Sequence, residues 1–141
     1  MDLVFRYEKE IIPRIERNEI VICDRYIETL EVRDGIRGVP QDLIHKNIKI
    51  FKKPDITIFL DIDKNLIFKR MIDQMDKRSD YILGLDFMSK GSKRETMLSY
   101  LDKQRIRYQE IFKDYDDREV FIVKNESEKE KILKNIFSEV N

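Results

Sequence analysis

The stretch Ile20-Val21-Ile22-Cys23-Asp24-Arg25-Tyr26 decides how this chain is read. Four apolar residues, three of them β-branched, run without interruption and then stop at an acid and a base. A run this short is too brief for a helix and lacks the alternation of a half-exposed strand. It reads as a strand buried on both faces, the kind found in parallel sheets. Two further runs have the same character. Ile56-Thr57-Ile58-Phe59-Leu60 is closed by Asp61, and Val120-Phe121-Ile122-Val123 ends before Lys124.

The segments between these runs carry helical spacing. Asp2 to Arg17 places Leu3, Val4, Tyr7, Ile11, Ile12 and Ile15 on one stripe, with Pro13 inside it to kink the helix and Asn18 after it as a left-handed cap. Leu43, Asn47, Ile48 and Phe51 form a second helical stretch, stopped by Pro54. Asp63 is placed to cap a third, bearing Leu66, Ile67, Arg70 and Met71. Ser92 with Glu95, and Ser127 with Glu130, have capping-box spacing for a long helix to about Phe112 and for a last helix with Ile132, Leu133, Ile136, Phe137 and Val140. Strands alternating with helices predict an α/β fold, a three-layer sandwich around a mainly parallel sheet.

Composition bounds the rest. The 141 residues suit one domain over 1–141, and 28 Lys+Arg against 28 Asp+Glu leave a formal net charge of +0, so the balance supports neither a basic nucleic-acid binder nor an acidic tail. Charged residues reach 40%, yet 41% hydrophobics with 8 Phe and 6 Tyr supply one core. Cys23 is the only cysteine, which favours a reducing, cytoplasmic setting and leaves no zinc set with the single His45. No apolar run approaches a membrane span, and the N-terminus shows no signal-peptide stretch. Cys23 is expected in the core of the first strand, and His45 at the surface or at a helix cap.

In open parallel sheets, ligands bind beyond the carboxyl ends of the strands. An aspartate there holds a hydrated Mg²⁺, and an arginine beside it pairs with phosphate through its planar fork. Asp24-Arg25 therefore reads as a phosphate or nucleotide site, or else as an ion pair that merely terminates the strand. The dipeptide does not choose between them.

A longer context does. Ile11-Ile12-Pro13-Arg14-Ile15, then Asn18-Glu19-Ile20-Val21-Ile22-Cys23-Asp24-Arg25-Tyr26-Ile27-Glu28-Thr29, closely resembles thymidylate kinases, which carry a helix with an Ile-x-Pro-x-Leu pattern and a strand ending in Asp-Arg-Tyr or Asp-Arg-His at this spacing. Lys53-Pro54-Asp55-Ile56-Thr57-Ile58-Phe59-Leu60-Asp61 is similar to the family's K-P-D-L-T-I-Y-L-D strand. Arg70 falls at the family's recurring arginine, and the helix with Tyr100, Arg105 and Tyr108 is similar to its penultimate helix. The likeness covers essentially the whole chain.

The resemblance implies a P-loop kinase-like fold and a nucleoside-monophosphate kinase, which moves the γ-phosphoryl of ATP to dTMP or a related nucleotide with Mg²⁺. By the same likeness Asp24 acts on the metal through its waters, and Arg25 grips the acceptor phosphate. Tyr26, Thr29, Arg33 and Asp34 lie in the acceptor-binding block. Arg70, Lys77 and Arg78 fall in a lid-like segment, about 69–94, that closes over ATP and supplies a transition-state arginine. A homodimer is implied, with neither nucleic acid nor membrane as partner.

The departures are as informative. Arg33-Asp34 stands where the family has Tyr-Gln, which removes an aromatic wall and an amide reader. The charged pair there either contacts a different base or bridges to itself, so the departure leaves the base of the acceptor open. No G-x-x-x-x-G-K-[ST] occurs, and Gly35, Gly38, Gly84 and Gly91 are too late and scattered to supply one. The expectation is a domain lacking its first βαβ unit and inactive on its own. The rival reading is a non-catalytic, nucleotide-binding or dimerising remnant.

Overall fold

The computed structural model describes residues 3–71, 80–89, 91–113, 115 and 119–139. In chain order these form α1 (Leu3–Arg6), a π-helical turn (Tyr7–Ile11), α2 (Ile12–Glu16), α3 (Ile27–Ile36), α4 (Gln41–Ile48), β1 (Ile56–Leu60), α5 (Lys64–Met71), α6 (Asp80–Leu83), α7 (Lys93–Lys113), β2 (Glu119–Val123) and α8 (Glu126–Glu139). They fall into two compact units, Met1–Lys53 and Pro54–Asn141.

In the first unit, the helical stripe from Leu3 onward forms as its spacing predicts, with one difference. Instead of a simple kink at Pro13, a π-helical turn precedes it, in which the Ile12 N–H bonds to the Tyr7 carbonyl. A proline inside an α-helix would drive its ring into the carbonyl four residues earlier, here that of Lys9, and the widened turn makes room on that side. Asn18 then adopts φ +59 as a left-handed cap. Glu19 N donates to Arg14 O at 3.0 Å and Asn18 N to Ile15 O at 2.9 Å, the paired bonds of a Schellman motif. Arg14 and Arg17 hold the Glu19 carboxylate at 3.0 and 2.6 Å, and these contacts press its pKa below the ordinary glutamate value.

Beyond this cap the structure departs from expectation. Ile20–Cys23 forms no strand and joins no ladder among the described residues. Ile20 and Ile22 are 69% and 84% exposed, and Cys23 is exposed instead of being a core residue. An apolar run predicts where a strand belongs, but a strand exists only when a neighbour accepts its N–H groups. Residues 27–36, for which no helix was expected, make α3, with Ile27 and Val32 buried.

The second unit holds the parallel pair the sequence predicts. β1 and β2 are in register from Ile56↔Glu119 to Leu60↔Val123, and Asp61 N extends the ladder to Val123 O at 2.9 Å. The mixed α/β class with a parallel sheet holds, and a three-layer sandwich is not confirmed. Phe59 of β1 packs on Tyr108 and Phe112 of α7, with ring centroids 5.1 and 5.3 Å away. A small core joins Phe68, Leu83 and Met97, so the buried residue of α5 is Phe68, whereas Leu66 is exposed. The part of the lid-like segment around Leu83 and Met88 is thus packed. Residues 72–79, and with them Lys77 and Arg78, lie outside the described residues.

Helix starts follow local chemistry. Asp63 caps α5 through its Oδ1, which accepts from Asn65 N at 2.9 Å. Ser92 and Glu95 form the expected capping box, with Ser92 N to Glu95 Oε2 at 2.7 Å and Glu95 N to Ser92 Oγ at 3.3 Å. The last helix differs. Its cap is Asn125, which accepts from Glu128 N at 2.9 Å, while Glu128 reaches back to Lys124 N at 2.7 Å. An Asn two residues after the strand intercepts the first free N–H groups before Ser127 can.

Candidate active site

The loop between Ile20 and Tyr26 presents the two charged residues singled out by the sequence. Asp24 and Arg25 are both exposed, and neither side chain makes an ion pair or hydrogen bond among the described residues. The ion pair that would have made this dipeptide a mere strand terminator is absent among those residues. Arg25 has φ +65, one of two non-glycine residues with positive φ among those described. Such a conformation costs an ordinary residue on the order of 1–3 kcal/mol and recurs at functional sites.

The neighbours that hold the loop there are identifiable. Arg6 Nη2 of α1 donates to the Arg25 carbonyl at 3.2 Å. Tyr26 is half-buried, and its hydroxyl donates to Lys52 O at 3.0 Å. Lys52 N in turn donates to the Tyr7 hydroxyl at 2.8 Å, and both tyrosine rings meet Phe51 edge-on, with centroids 5.0 Å away for Tyr7 and 6.1 Å for Tyr26. Burial pushes the Tyr26 hydroxyl pKa well above its ordinary value, so it remains a donor. Two segments some forty residues apart therefore clamp the residue that follows Arg25.

The rest of the acceptor block lies on α3. Thr29 sits in its first turn, with its N–H to Tyr26 O at 3.1 Å. Arg33 and Asp34 are half-buried near its end. Asp34 lines a cavity of about 250 Å³ together with Leu3, Leu30, Ile44, Asn47 and Phe51. Phe51 belongs both to this cavity and to the clamp on Tyr26, so the two features adjoin. On the side of α3 that is buried, Glu31 accepts from Gln41 Nε2 at 2.9 Å and lies 3.4 Å from His45 Nε2. His45 is exposed and bonds a buried carboxylate, a structural part.

In the second unit, Arg70 lies exposed near the end of α5. Sequence reasoning noted Asp61 and Arg105 separately and missed their pairing. Arg105 Nε donates to Asp61 Oδ1 and its Nη2 to Oδ2 at 3.0 Å, with Gln109 Nε2 at 3.4 Å. The guanidinium holds the buried Asp61 carboxyl below the usual aspartate pKa. Spacing of Asp61 after a strand and of Arg105 and Gln109 one helical turn apart was the available signal, but 44 residues separate the partners.

The matching residues can be compared with known proteins. The sequence matches the thymidylate kinase family over residues 3–136. The chain belongs to the thymidylate kinase family. It is 27% identical over 113 residues to a probable thymidylate kinase 2 of Saccharolobus solfataricus, covering 80% of this chain and 53% of that protein. It is 36% identical over 70 residues to a probable thymidylate kinase of Pyrobaculum aerophilum, covering 50% and 36%, and 35% identical over 88 residues to a thymidylate kinase of Rickettsia conorii, covering 58% and 42%. The chain thus spans about half the length, or less, of these curated relatives. Membership makes it a thymidylate kinase-like protein.

The family's use of Mg²⁺ can be tested against the residues present. Magnesium ordinarily takes one or two carboxylates, with waters and substrate phosphates filling its remaining positions. Asp24 offers one exposed, unengaged carboxylate, which fits water-mediated binding. Among the described residues no group of three or more His, Cys, Asp or Glu could enclose an ion. No described helix is long and apolar enough to cross a membrane.

Proposed function

We propose that this chain is the acceptor-binding portion of a nucleoside-monophosphate kinase, which transfers the γ-phosphoryl of ATP to dTMP or a related nucleotide. The observation that carries this reading is the display of Asp24 and Arg25. Both are exposed and unpaired, and Arg25 is held in a left-handed conformation by Arg6 and the clamped Tyr26.

The roles follow from charge and geometry. Phosphoryl transfer depends on positioning and neutralisation of charge more than on covalent protein chemistry. Arg25 grips two oxygens of the acceptor monophosphate with its fork and orients it toward the donor. Asp24 holds the waters of Mg²⁺, which when bound neutralises phosphate oxygens. Tyr26 and Thr29 fix the start of α3 beneath the acceptor, and Arg33 with Asp34 faces its nucleoside. Arg70 and Arg78 supply positive charge over the donor phosphates as a lid closes and excludes water.

The same proposal includes the finer features of the family fold, a three-layer sandwich of which β1 and β2 are a parallel pair. It also includes a cytoplasmic homodimer acting on small nucleotides and not on nucleic acid or membrane. These 141 residues contain no G-x-x-x-x-G-K-[ST], so the chain by itself is proposed to bind the acceptor without turnover. The test has two arms. Titration of the chain with nucleoside monophosphates should show binding that Arg25→Ala abolishes. The complete gene product should release ADP in a coupled assay with ATP, Mg²⁺ and a monophosphate. Absence of turnover with every monophosphate, in a folded protein carrying an intact phosphate loop, would reduce the chain to a non-catalytic remnant.

A further inference from the structure

The one π-helical turn among the described residues, Tyr7–Ile11, follows directly on the residue that reaches the Arg25 backbone. A π-turn holds one residue more than an α-turn, and such turns recur at functional sites. Pro13 explains why the turn is wide. It leaves open what the turn does to the residues before it.

Spacing along the helix answers that. In an unbroken α-helix Arg6 would stand above the residue four positions on, Glu10, which is itself in line with Arg14. Glu10 and Arg14 are both exposed. In the π-turn the Ile12 N–H bonds to the Tyr7 carbonyl, so alignment runs over five positions. Arg6 then stands above Ile11, which is buried, and Tyr7 above Ile12. The extra residue is worth about 100° of rotation. Arg6 is accordingly half-buried, with its Nε enclosed.

This rotation brings Arg6 to the loop. Its Nη2 donates to the Arg25 carbonyl at 3.2 Å. Burial raises the pKa values of Cys23 and Tyr26, and the Arg6 charge acts against that rise at both, which sets the guanidinium beside residues on either side of Asp24-Arg25. Buried donors are ordinarily all paired. Arg6 has no carboxylate partner among the described residues, and its buried Nε–H has no acceptor. Its one hydrogen bond there goes to the carbonyl of the residue with φ +65.

We propose that Arg6 is a positioning residue of the acceptor site and that the π-helical turn is the device that aims it. Arg6 fixes the Arg25 carbonyl, and with it the left-handed backbone from which the Arg25 fork meets a phosphate. Its effect on affinity rests on the kinase reading above. Its effect on the Arg25 backbone does not.

Three variants of the full chain test this, each checked for folding by circular dichroism. The Arg25 Cα and Cβ chemical shifts report its backbone, and calorimetric titration with dTMP, dCMP, dAMP and dGMP reports its grip. Arg6→Ala should move the Arg25 shifts toward ordinary backbone values and weaken binding by about tenfold or more. Arg6→Gln keeps a donor without the charge, so it should recover most of both and leave the salt dependence of binding unchanged. Deletion of Lys9 combined with Pro13→Ala removes the turn and the ring that would clash in a narrower one, yet leaves Arg6 four positions before Ile11 and in line with it. That variant should bind like the wild type. Arg25 shifts unmoved by Arg6→Ala, or a folded deletion variant as weak as Arg6→Ala, would overturn the proposal. A salt dependence reduced in Arg6→Gln would also overturn it, by making Arg6 a phosphate contact. If the wild-type chain binds no monophosphate in an Arg25-dependent way, the acceptor reading falls, and the Arg25 shifts in the variants still decide what the turn does.

Discussion

Gly84→Ala is the substitution whose cost the structure specifies most closely. Gly84 follows α6 with φ +73, and Leu85 N bonds to Asp80 O at 2.9 Å, the long bond of a Schellman motif with Gly84 in its left-handed position. An alanine there meets two separate penalties. The left-handed backbone costs a residue with a Cβ about 1–2 kcal/mol. The methyl group would also lie 2.5 Å from Cγ of Tyr100 and 2.7 Å from its Cδ1, inside any real contact distance. Tyr100 is 1% exposed and its ring is met edge-on by Phe87, so it cannot simply swing aside. Overpacking of this kind costs about 1–3 kcal/mol, giving a total of about 2–5 kcal/mol. Against an ordinary stability of roughly 5–15 kcal/mol, that is a large loss. Urea unfolding followed by far-ultraviolet circular dichroism, with hydrogen exchange read along α7, measures it. Gly38 supplies the control, since it has φ +85 with nothing within 4 Å of an added Cβ, so Gly38→Ala should cost only the backbone penalty. Tyr100→Val in a double-mutant cycle should recover part of the Gly84→Ala loss, with a coupling of about 0.5–3 kcal/mol. A Gly84→Ala protein no less stable than Gly38→Ala, with no coupling to Tyr100, would refute the reasoning.

Three further outcomes are expected. Arg25→Gly should leave the fold as stable as before or slightly more so by thermal unfolding, because it relieves the left-handed strain, while monophosphate affinity falls at least tenfold, about the 1.4 kcal/mol of one charge-assisted contact; equal loss of both would contradict a strained functional residue. Asp61 has its pKa depressed by Arg105, so its contribution to stability is present above the unfolded aspartate value of about 4 and is lost as pH falls through the lower folded value. Asp61→Asn should therefore flatten the acid limb of a plot of melting temperature against pH, and an unchanged acid limb would refute the pairing. Asn125→Ala should destabilise α8 by about 1 kcal/mol, whereas Ser127→Ala should have almost no effect on urea unfolding; the reverse order would restore the cap read from sequence.

What was legible in the sequence was what a few neighbouring residues decide. The caps at Asp63, Ser92 and Asn18 form as read, because a side-chain oxygen or a left-handed residue satisfies N–H and carbonyl groups within five positions. The apolar runs at Ile56–Leu60 and Val120–Val123 form strands, since each finds the other as its ladder partner. The displaced cap at Asn125 shows how two local solutions compete, and the nearer one wins. For the candidate site, the Asp24-Arg25-Tyr26 block was found directly from its place after an apolar run.

Tertiary structure decided everything that depended on a distant partner. Ile20–Cys23 has the composition of a buried strand, yet a ladder needs a second strand to accept it, and no local pattern provides one. Asp61 and Arg105 are 44 residues apart, so neither residue's neighbours announce the pair. The unusual backbone of Arg25 follows from the Arg6 hydrogen bond and from Tyr26 caught by Lys52 and Phe51, contacts that cross the first unit. Asp34 and Asn47 look like ordinary polar helix residues until α3 and α4 bring them into one apolar cavity. The sequence by itself determined the family, most of the helices, though not α3, and the acid and base that follow the first apolar run. Which polar groups pair with which was set only when chain segments far apart came together.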